Sequence, residues 1–458
     1  MDYQSFVSKK LAMVSRQGLN VPLGEYGLFP HQTDLVKWAL RRGCAAIFAD
    51  TGLGKSRMQV AWADTVHKQT GCDVLILAPL AVAEQTVEEA ASIGVTVTHA
   101  REQDQVKHGL NITNYDRIHK FDCSRFGAVV LDESSIIKHH TAKTLQTLLD
   151  TFRNTPFKLC ATATPAPNDW TELGNHAEFL GVRTRTEMLA EFFVHDGGDT
   201  QVWRLKGHAR HLFWKWVASW GAMVRSPADL GHDASLYELP PLNIYQHTVE
   251  IEHNPQHGLF AMEAQTLMER REARKQSLLE RVKACAKMVN ADNHQWIIWC
   301  DLNDEGDALE KAIPDAVQIA GKHDEETKER RLHDFKTGKA RVLISKCSIT
   351  GFGLNWQHCK RMAFVGVTDS FESYYQAVRR CWRFGQKSPV DVHIFASNQE
   401  GAIVQNLKRK EQDAKRMADA MAAETIEAVK SEVLGFSKET NDYNANKAIQ
   451  LPSFLRAA

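Results

Sequence analysis

The eight residues Ala49-Asp50-Thr51-Gly52-Leu53-Gly54-Lys55-Ser56 constrain this chain more than any other stretch. The small apolar run Cys44-Ala45-Ala46-Ile47-Phe48 leads into them, and Arg57-Met58-Gln59-Val60-Ala61-Trp62-Ala63 leads away as a helix. A strand, a loop with two glycines and a helix in that order offer an anion backbone N–H groups and a helix N-terminus, the arrangement of a phosphate-binding loop. In such a loop Thr51, Gly52 and Gly54 wrap the phosphates and Lys55 reaches the β- and γ-phosphates. The Ser56 hydroxyl holds Mg²⁺. The strict pattern asks for glycine where Ala49 stands, so an ordinary glycine turn is the alternative reading.

Further strands follow. Val74-Leu75-Ile76-Leu77-Ala78-Pro79 is an apolar run of the kind buried on both faces of a parallel sheet. Gly127-Ala128-Val129-Val130-Leu131 ends on two acids, Asp132 and Glu133, at the strand tip where ligands sit in open α/β sheets. Asp132 suits Mg²⁺, and Glu133 suits the polarisation of a water attacking a γ-phosphate; a helix start is the plainer reading. Phe157 to Pro165 is another strand, and it places Thr162 and Thr164 near the same tips.

With 458 residues the chain has room for two or three domains. Lys+Arg and Asp+Glu both total 56, so nucleic acid could be held only by local patches and not by a uniformly basic surface. The nine cysteines are scattered without a Cys-x-x-Cys pair, which argues against a zinc ribbon or a disulfide framework. Neither a signal-peptide core nor an apolar run of membrane-spanning length occurs, so the expectation is a soluble, cytoplasmic protein.

Residues 28–42 read as a helix started by Pro30, in which Gln32 could read an adenine edge or simply face solvent. Between 170 and 235 tryptophans interleave with basic residues, among them Arg204, Lys206 and Arg210. That mixture suits either a nucleic-acid strand or a small helical insertion with its own aromatic core. Pro240-Pro241 marks a hinge, and 255–290 reads as charged helix. A second α/β series begins at Gln295. It includes the loop Gly351-Phe352-Gly353-Leu354-Asn355 and the segment Gln376-Ala377-Val378-Arg379-Arg380-Cys381-Trp382-Arg383-Phe384-Gly385-Gln386. On a helix Gln376, Arg380 and Arg383 share one face, which fits either arginine fingers across a cleft or a basic surface helix.

Taken in order, these elements resemble the superfamily-two helicase motor, and most closely its Swi/Snf-type DNA translocase branch. His31-Gln32 is similar to the Q motif, Ala49 to Ser56 to motif I, Leu77-Ala78-Pro79-Leu80 to motif Ia and Thr113-Asn114-Tyr115 to motif Ib. Asp132-Glu133-Ser134-Ser135 stands where the family has Asp-Glu-x-His, and Thr162-Ala163-Thr164-Pro165 matches motif III. Gly351 to Asn355 and Gln376 to Gln386 resemble motifs V and VI. Ser135 in place of histidine and Ser56 in place of threonine are the departures.

The resemblance implies an α/β fold of two tandem RecA-like parallel-sheet lobes. Residues 1–240 would form the first, with a helical insertion at about 175–235, and 241–400 the second, with one at about 255–290; 401–458 would be a C-terminal helix and tail. ATP and Mg²⁺ would bind between the lobes. Lys55, Asp132, Glu133, Gln376, Arg380 and Arg383 would be catalytic, and Ser56 and Asp132 would hold the metal. Gln32, Thr51, Gly52, Gly54, Gly353 and Asn355 would bind nucleotide. Pro79, Thr113, Tyr115, Thr162 and Thr164, with Arg204, Lys206 and Arg210, would contact nucleic acid. The implied activity is ATP-driven translocation on double-stranded DNA in a bacterial or phage setting. The alternatives are a strand-separating DNA or RNA helicase, the motor subunit of a nuclease or recombination partner, and a non-hydrolysing ATP-binding adaptor.

Overall fold

The computed structural model describes residues 18–79, 82–138, 142–167, 169–196, 199–250, 274–350, 355–366, 371–397, 422–423 and 425–434, together with 409, 412 and 419. Its first sheet has seven parallel strands in the order β3-β4-β2-β5-β6-β1-β9. These are β1 (Cys44–Ala49), β2 (Asp73–Ala78), β3 (Val97–His99), β4 (Leu110–Asn114), β5 (Phe126–Asp132), β6 (Phe157–Thr162) and β9 (Gly221–Val224). The middle strands are short runs of small and β-branched residues covered on both faces, as a parallel sheet demands.

Alternate residues of each strand enter different cores. Ala45, Ile47, Val74 and Ile76 join the helices α1 (Pro30–Arg42), α2 (Lys55–Thr70) and α3 (Ala83–Ser92). Ala46, Phe48, Leu75 and Leu77 join α4 (Lys143–Thr151), α5 (Leu173–Phe179), α6 (Arg185–Phe192) and α7 (Arg210–Ala218).

The segment expected as a helical insertion at 175–235 is only partly helical. It contains the antiparallel hairpin β7 (Phe193–Asp196) and β8 (Asp199–Leu205), and its strand β9 pairs with β1 as the sheet edge. The reason is burial: Phe213, Trp214 and Trp220 are fully enclosed in the core under the sheet, and β9 completes that core. The tryptophans thus follow the aromatic-core alternative.

A second sheet of six parallel strands follows in the order β10-β15-β14-β11-β13-β12. It comprises β10 (Leu242–Val249), β11 (Trp296–Cys300), β12 (Ala316–Ile319), β13 (Val342–Lys346), β14 (Arg361–Phe364) and β15 (Val390–Ser397). Helices α8 (Leu278–Val289) and α9 (Asn303–Ala312) cover one face; α10 (Glu325–Lys336) and α11 (Phe371–Val378) cover the other. Of the charged stretch expected as helix at 255–290, the part before 274 lies outside the described residues.

Residues 425–434 are helical and return to the first sheet, where Val429 and Val433 are buried in the core with α1. Arg42 pairs with Glu432, and Arg41 donates to the Val433 carbonyl at 3.0 Å. Among the described residues no helix is long and apolar enough to cross a membrane, and all nine cysteines are free thiols.

Candidate active site

The loop between β1 and α2 turns on two left-handed glycines, Gly52 at φ +96° and Gly54 at φ +78°. Both also face close neighbours. A Cβ on Gly52 would stand 3.1 Å from Phe384 of the second lobe, and one on Gly54 would collide with the Gln32 amide. Gln32 is buried, which corrects the solvent-facing alternative for this residue. Its Nε2 donates to the Leu53 carbonyl at 2.9 Å, and its Oε1 accepts from Phe29 N–H at 3.0 Å, so it braces the loop from behind. Lys55 Nζ donates to the carbonyls of Ala49 (2.9 Å) and Asp50 (3.4 Å). Burial pushes this ammonium down, while Glu133, Asp50 and Asp132 pull it back up.

The two acids sit at the tip of β5. Asp132 is buried and accepts from Gln59 Nε2 at 2.7 Å, and burial raises its carboxyl. The Tyr115 hydroxyl donates to the Asp132 carbonyl at 2.7 Å. Glu133 has φ 54° and ψ 52°, the one positive φ outside glycine among the described residues. That conformation costs roughly 1–3 kcal/mol and persists where surrounding contacts enforce it. Here its Oε1 accepts from Thr162 Oγ1 and from Gln376 Nε2, each at 3.3 Å, so groups from both lobes hold it.

The second lobe supplies the remaining groups. Arg380 is buried; its Nε donates to the Gln376 carbonyl at 2.9 Å and a terminal nitrogen to Gln376 Oε1 at 2.8 Å, which orients the amide toward Glu133. Arg379 pairs with Asp50 of the phosphate loop at 2.8 Å, and the Tyr375 hydroxyl donates to the same carboxylate at 3.0 Å. Arg383 faces Glu89 of α3, whose carboxylate also takes the Ser56 hydroxyl and lies 3.4 Å from Arg57; burial raises that carboxyl against these three.

One expectation about this segment needs correction. The helix stops at Val378, so Gln376 is helical whereas Arg380 and Arg383 lie in the turns after it. Tertiary bonds draw the chain out of the helix: Gly385 takes φ +88°, and the Gln386 amide donates to the carbonyls of Gln357, Cys359 and Cys381.

Gln59, Glu89, Tyr375 and Arg379 were not singled out from sequence. Gln59 had a usable signal, since it stands one helical turn after Lys55 on α2. The opposite charges of Asp50 and Arg379 in the two motifs were another. Glu89 carried none, being one acid in an ordinary polar helix.

Residues 31–206 match the SNF2-related domain, and residues 279–385 match the helicase conserved C-terminal domain. The chain is an Snf2-like superfamily-two helicase. Over 97 residues, 20% of this chain, it is also 29% identical to the ATP-dependent RNA helicase FAL1 of Kluyveromyces lactis. The match spans about a quarter (24%) of that relative's length. Both matched segments are accordingly domains of the helicase ATPase type.

In this Snf2-like chain the residues expected to touch nucleic acid fall into two groups. Thr113 and Thr162 are fully buried and Tyr115 nearly so. Tyr115 bonds the backbone and Thr162 the side chain of the β5 acids. Thr164 buries its hydroxyl, and Pro79 is half-buried at the end of β2. Lys206 spends its ammonium on the Ala190 and Glu191 carbonyls at 2.8 and 2.9 Å, which closes the C-terminus of α6. Arg210 stacks over Trp170, and Arg204 is exposed on β8. Gly353 lies outside the described residues, whereas Asn355 lines a cavity with Arg383, Glu89 and Lys336.

Across the same cleft run ion pairs that the sequence did not suggest. Arg117 meets Glu325 at 2.6 Å, Arg101 meets Glu329 at 2.7 Å and Lys336 meets Glu88 at 2.6 Å. Exposed pairs of this type each contribute about 0–1 kcal/mol and weaken with salt.

Ser134, next to the acids, shares a hydrogen bond of 3.1 Å with Nε2 of the fully buried His176, whose ring meets Phe48 edge-on. Burial lowers this imidazole from 6.5 to about 4. Between those two values the unfolded chain takes up a proton that the folded chain refuses, so stability falls as pH drops through this window. The contribution lost is on the order of 3 kcal/mol by pH 4. Urea midpoints measured from pH 7 to pH 4 are expected to decline, and to decline less steeply in His176→Gln; equal slopes would reject the assignment.

Proposed function

We propose that the chain is a nucleic-acid-stimulated ATPase that uses ATP and Mg²⁺ to translocate along double-stranded DNA. The first lobe would run over residues 1–240 and the second over 241–400. The observation carrying this reading is the bond from Gln376 of the second lobe to Glu133 of the first. A carboxylate held from both sides of a cleft changes its position when the lobes move, which ties hydrolysis to motion.

The residues fit the nucleotide. Phe29, Tyr237 and Phe384 form an aromatic wall, with Tyr237 and Phe384 at 4.7 Å between ring centroids, beside a cavity lined by Asp50, Thr51 and Arg379. That wall would take the base, and the loop N–H groups and Lys55 the phosphates. The Ser56 hydroxyl among the Asp132 and Glu89 carboxylates is an all-oxygen set of the kind Mg²⁺ prefers. Mg²⁺ bound there would supply positive charge to a phosphate chain. Glu133 orients the attacking water and accepts its proton. Arg380 and Arg383 add positive charge from the second lobe, and Thr162 with Gln376 keeps Glu133 aimed.

Steady-state ATPase assays with no nucleic acid, single-stranded DNA, duplex DNA and RNA test the reading. Duplex DNA is expected to stimulate most, with an effect that declines steeply as salt rises, because backbone phosphates carry the contact. Stimulation confined to single strands or RNA would reject translocation on duplex DNA. It would favour a strand-separating helicase, the reading that the name of the Kluyveromyces lactis relative supports. A motor acting within a nuclease complex would show stimulation only when its partner is added.

A further inference from the structure

At the end of the first sheet opposite the phosphate loop, three side chains with no part in hydrolysis converge. His67 lies near the end of α2, Asp73 opens β2 and His108 precedes β4. One donor atom from each lies within 4.8 Å of the other two. His108 Nδ1 and Asp73 Oδ1 are 2.7 Å apart, and the two imidazole rings stand 4.9 Å apart between centroids.

Supporting bonds hold two of the three. His67 Nδ1 lies 2.8 Å from the Cys72 carbonyl. A carbonyl only accepts, so Nδ1 carries the hydrogen and Nε2 keeps its lone pair, as in metal-bound histidines fixed by a second contact. Nε2 faces Gly109, where a Cβ would come within 3.8 Å, and Gly109 N–H donates to Asp73 Oδ1 at 2.8 Å. Gly109 has φ +112°, a conformation that aims its N–H at the carboxylate. The Cys72 thiol is not part of the set: it takes the Thr70 hydroxyl at 3.0 Å and packs against Gly127.

We propose that His67, Asp73 and His108 form a structural site for one divalent transition-metal ion of the zinc class, with water as the fourth ligand. Two imidazoles and a carboxylate suit Zn²⁺ and argue against Mg²⁺ or Ca²⁺, which take oxygen sets. Tetrahedral bonds of about 2.0–2.1 Å place ligands about 3.3 Å apart, between the shortest and longest spacings present. His108 is 73% exposed, so its ring can swing to that spacing without disturbing the core. The ion takes the place of the hydrogen between His108 Nδ1 and Asp73, which passes through solvent to His108 Nε2; no oxidation change is involved. The ion would tie the last turn of α2, the helix that Lys55 begins, to the starts of β2 and β4.

The test is calorimetric titration of Zn²⁺ into the untagged, chelator-stripped chain, with thermal melts and Co²⁺ spectra alongside. One-to-one binding, a higher melting temperature with Zn²⁺ and a Co²⁺ spectrum without thiolate charge transfer are expected. His108→Ala should weaken binding by at least about tenfold and abolish the thermal gain while keeping the wild-type circular dichroism spectrum. Absence of saturable binding in the wild type overturns the proposal. Unchanged affinity in His108→Ala, or a thiolate band, also overturns it by moving the ion to the cysteines.

Discussion

Glu133→Gln is expected to bind ATP within a few-fold of wild type and to lose about 10²–10⁴ of its turnover, the usual worth of a positioned general base. The substitution keeps the size of the side chain and one oxygen able to accept from Thr162 and Gln376. The backbone at φ 54° is as strained for glutamine as for glutamate, so folding stability should be close to unchanged. Turnover is the quantity that separates the roles. A residue that only secured the lobes against each other would tolerate the amide, whereas one that accepts a proton would not. Single-turnover hydrolysis beside fluorescent-nucleotide binding makes the comparison, and wild-type turnover would remove Glu133 from the chemistry.

Arg383→Ala should cost about 10³–10⁵ in turnover, the range for an arginine finger, with nucleotide affinity little changed. Arg383 stands opposite Glu89 in a cavity between the lobes, whereas Arg379 is the arginine paired with Asp50 of the phosphate loop. Loss of Arg383 leaves the Arg379–Asp50 pair in place and removes positive charge from the cleft. Arg380 differs because it also holds the Gln376 amide. Burial lowers its guanidinium to about 10, which leaves it charged at neutral pH. Arg380→Lys should restore less than Arg383→Lys, since an ammonium cannot reproduce both the Gln376 carbonyl and amide bonds. Parallel kcat and nucleotide-affinity measurements on the three variants check this; loss of affinity with normal kcat in Arg383→Ala would contradict it.

Strands β1, β2, β5 and β11 were legible because each is an apolar run that stops at Asp or Pro, and they lie within the two matched domains. β10 was not, because it is an edge strand half open to solvent, and Asn243, Tyr245, Gln246 and His247 give it no apolar run. β9 was hidden for another reason: four residues that look like the tail of an aromatic helix gain strand form only by pairing with β1. At the site, Asp132 and Glu133 were readable because they stand at the tip of β5, and Lys55 because it opens α2 directly after the loop glycines. The bracing ones were not. Thr113 and Tyr115 were assigned to nucleic acid from their motif, and only the pairing of β4 inside the sheet and the Tyr115 bond to the Asp132 carbonyl show how deeply they are buried. Arg101 and Arg117 needed α10 from the other lobe to become meaningful.

Lys55 rests on the carbonyls of Ala49 and Asp50, while Asp50 rests on Arg379 and Tyr375. The loop is thus bonded both to its own backbone and to the second lobe. A phosphate chain must compete with those bonds, and the ammonium has to leave both carbonyls to reach it. In population terms, only the fraction of molecules with Lys55 released is competent, and the apparent dissociation constant is the intrinsic one divided by that fraction. Anything that draws Arg379 away from Asp50 raises the fraction. A nucleic acid that pulls the lobes into a different register would then tighten nucleotide binding without touching the nucleotide, and by reciprocity the nucleotide would tighten the grip on nucleic acid by the same factor.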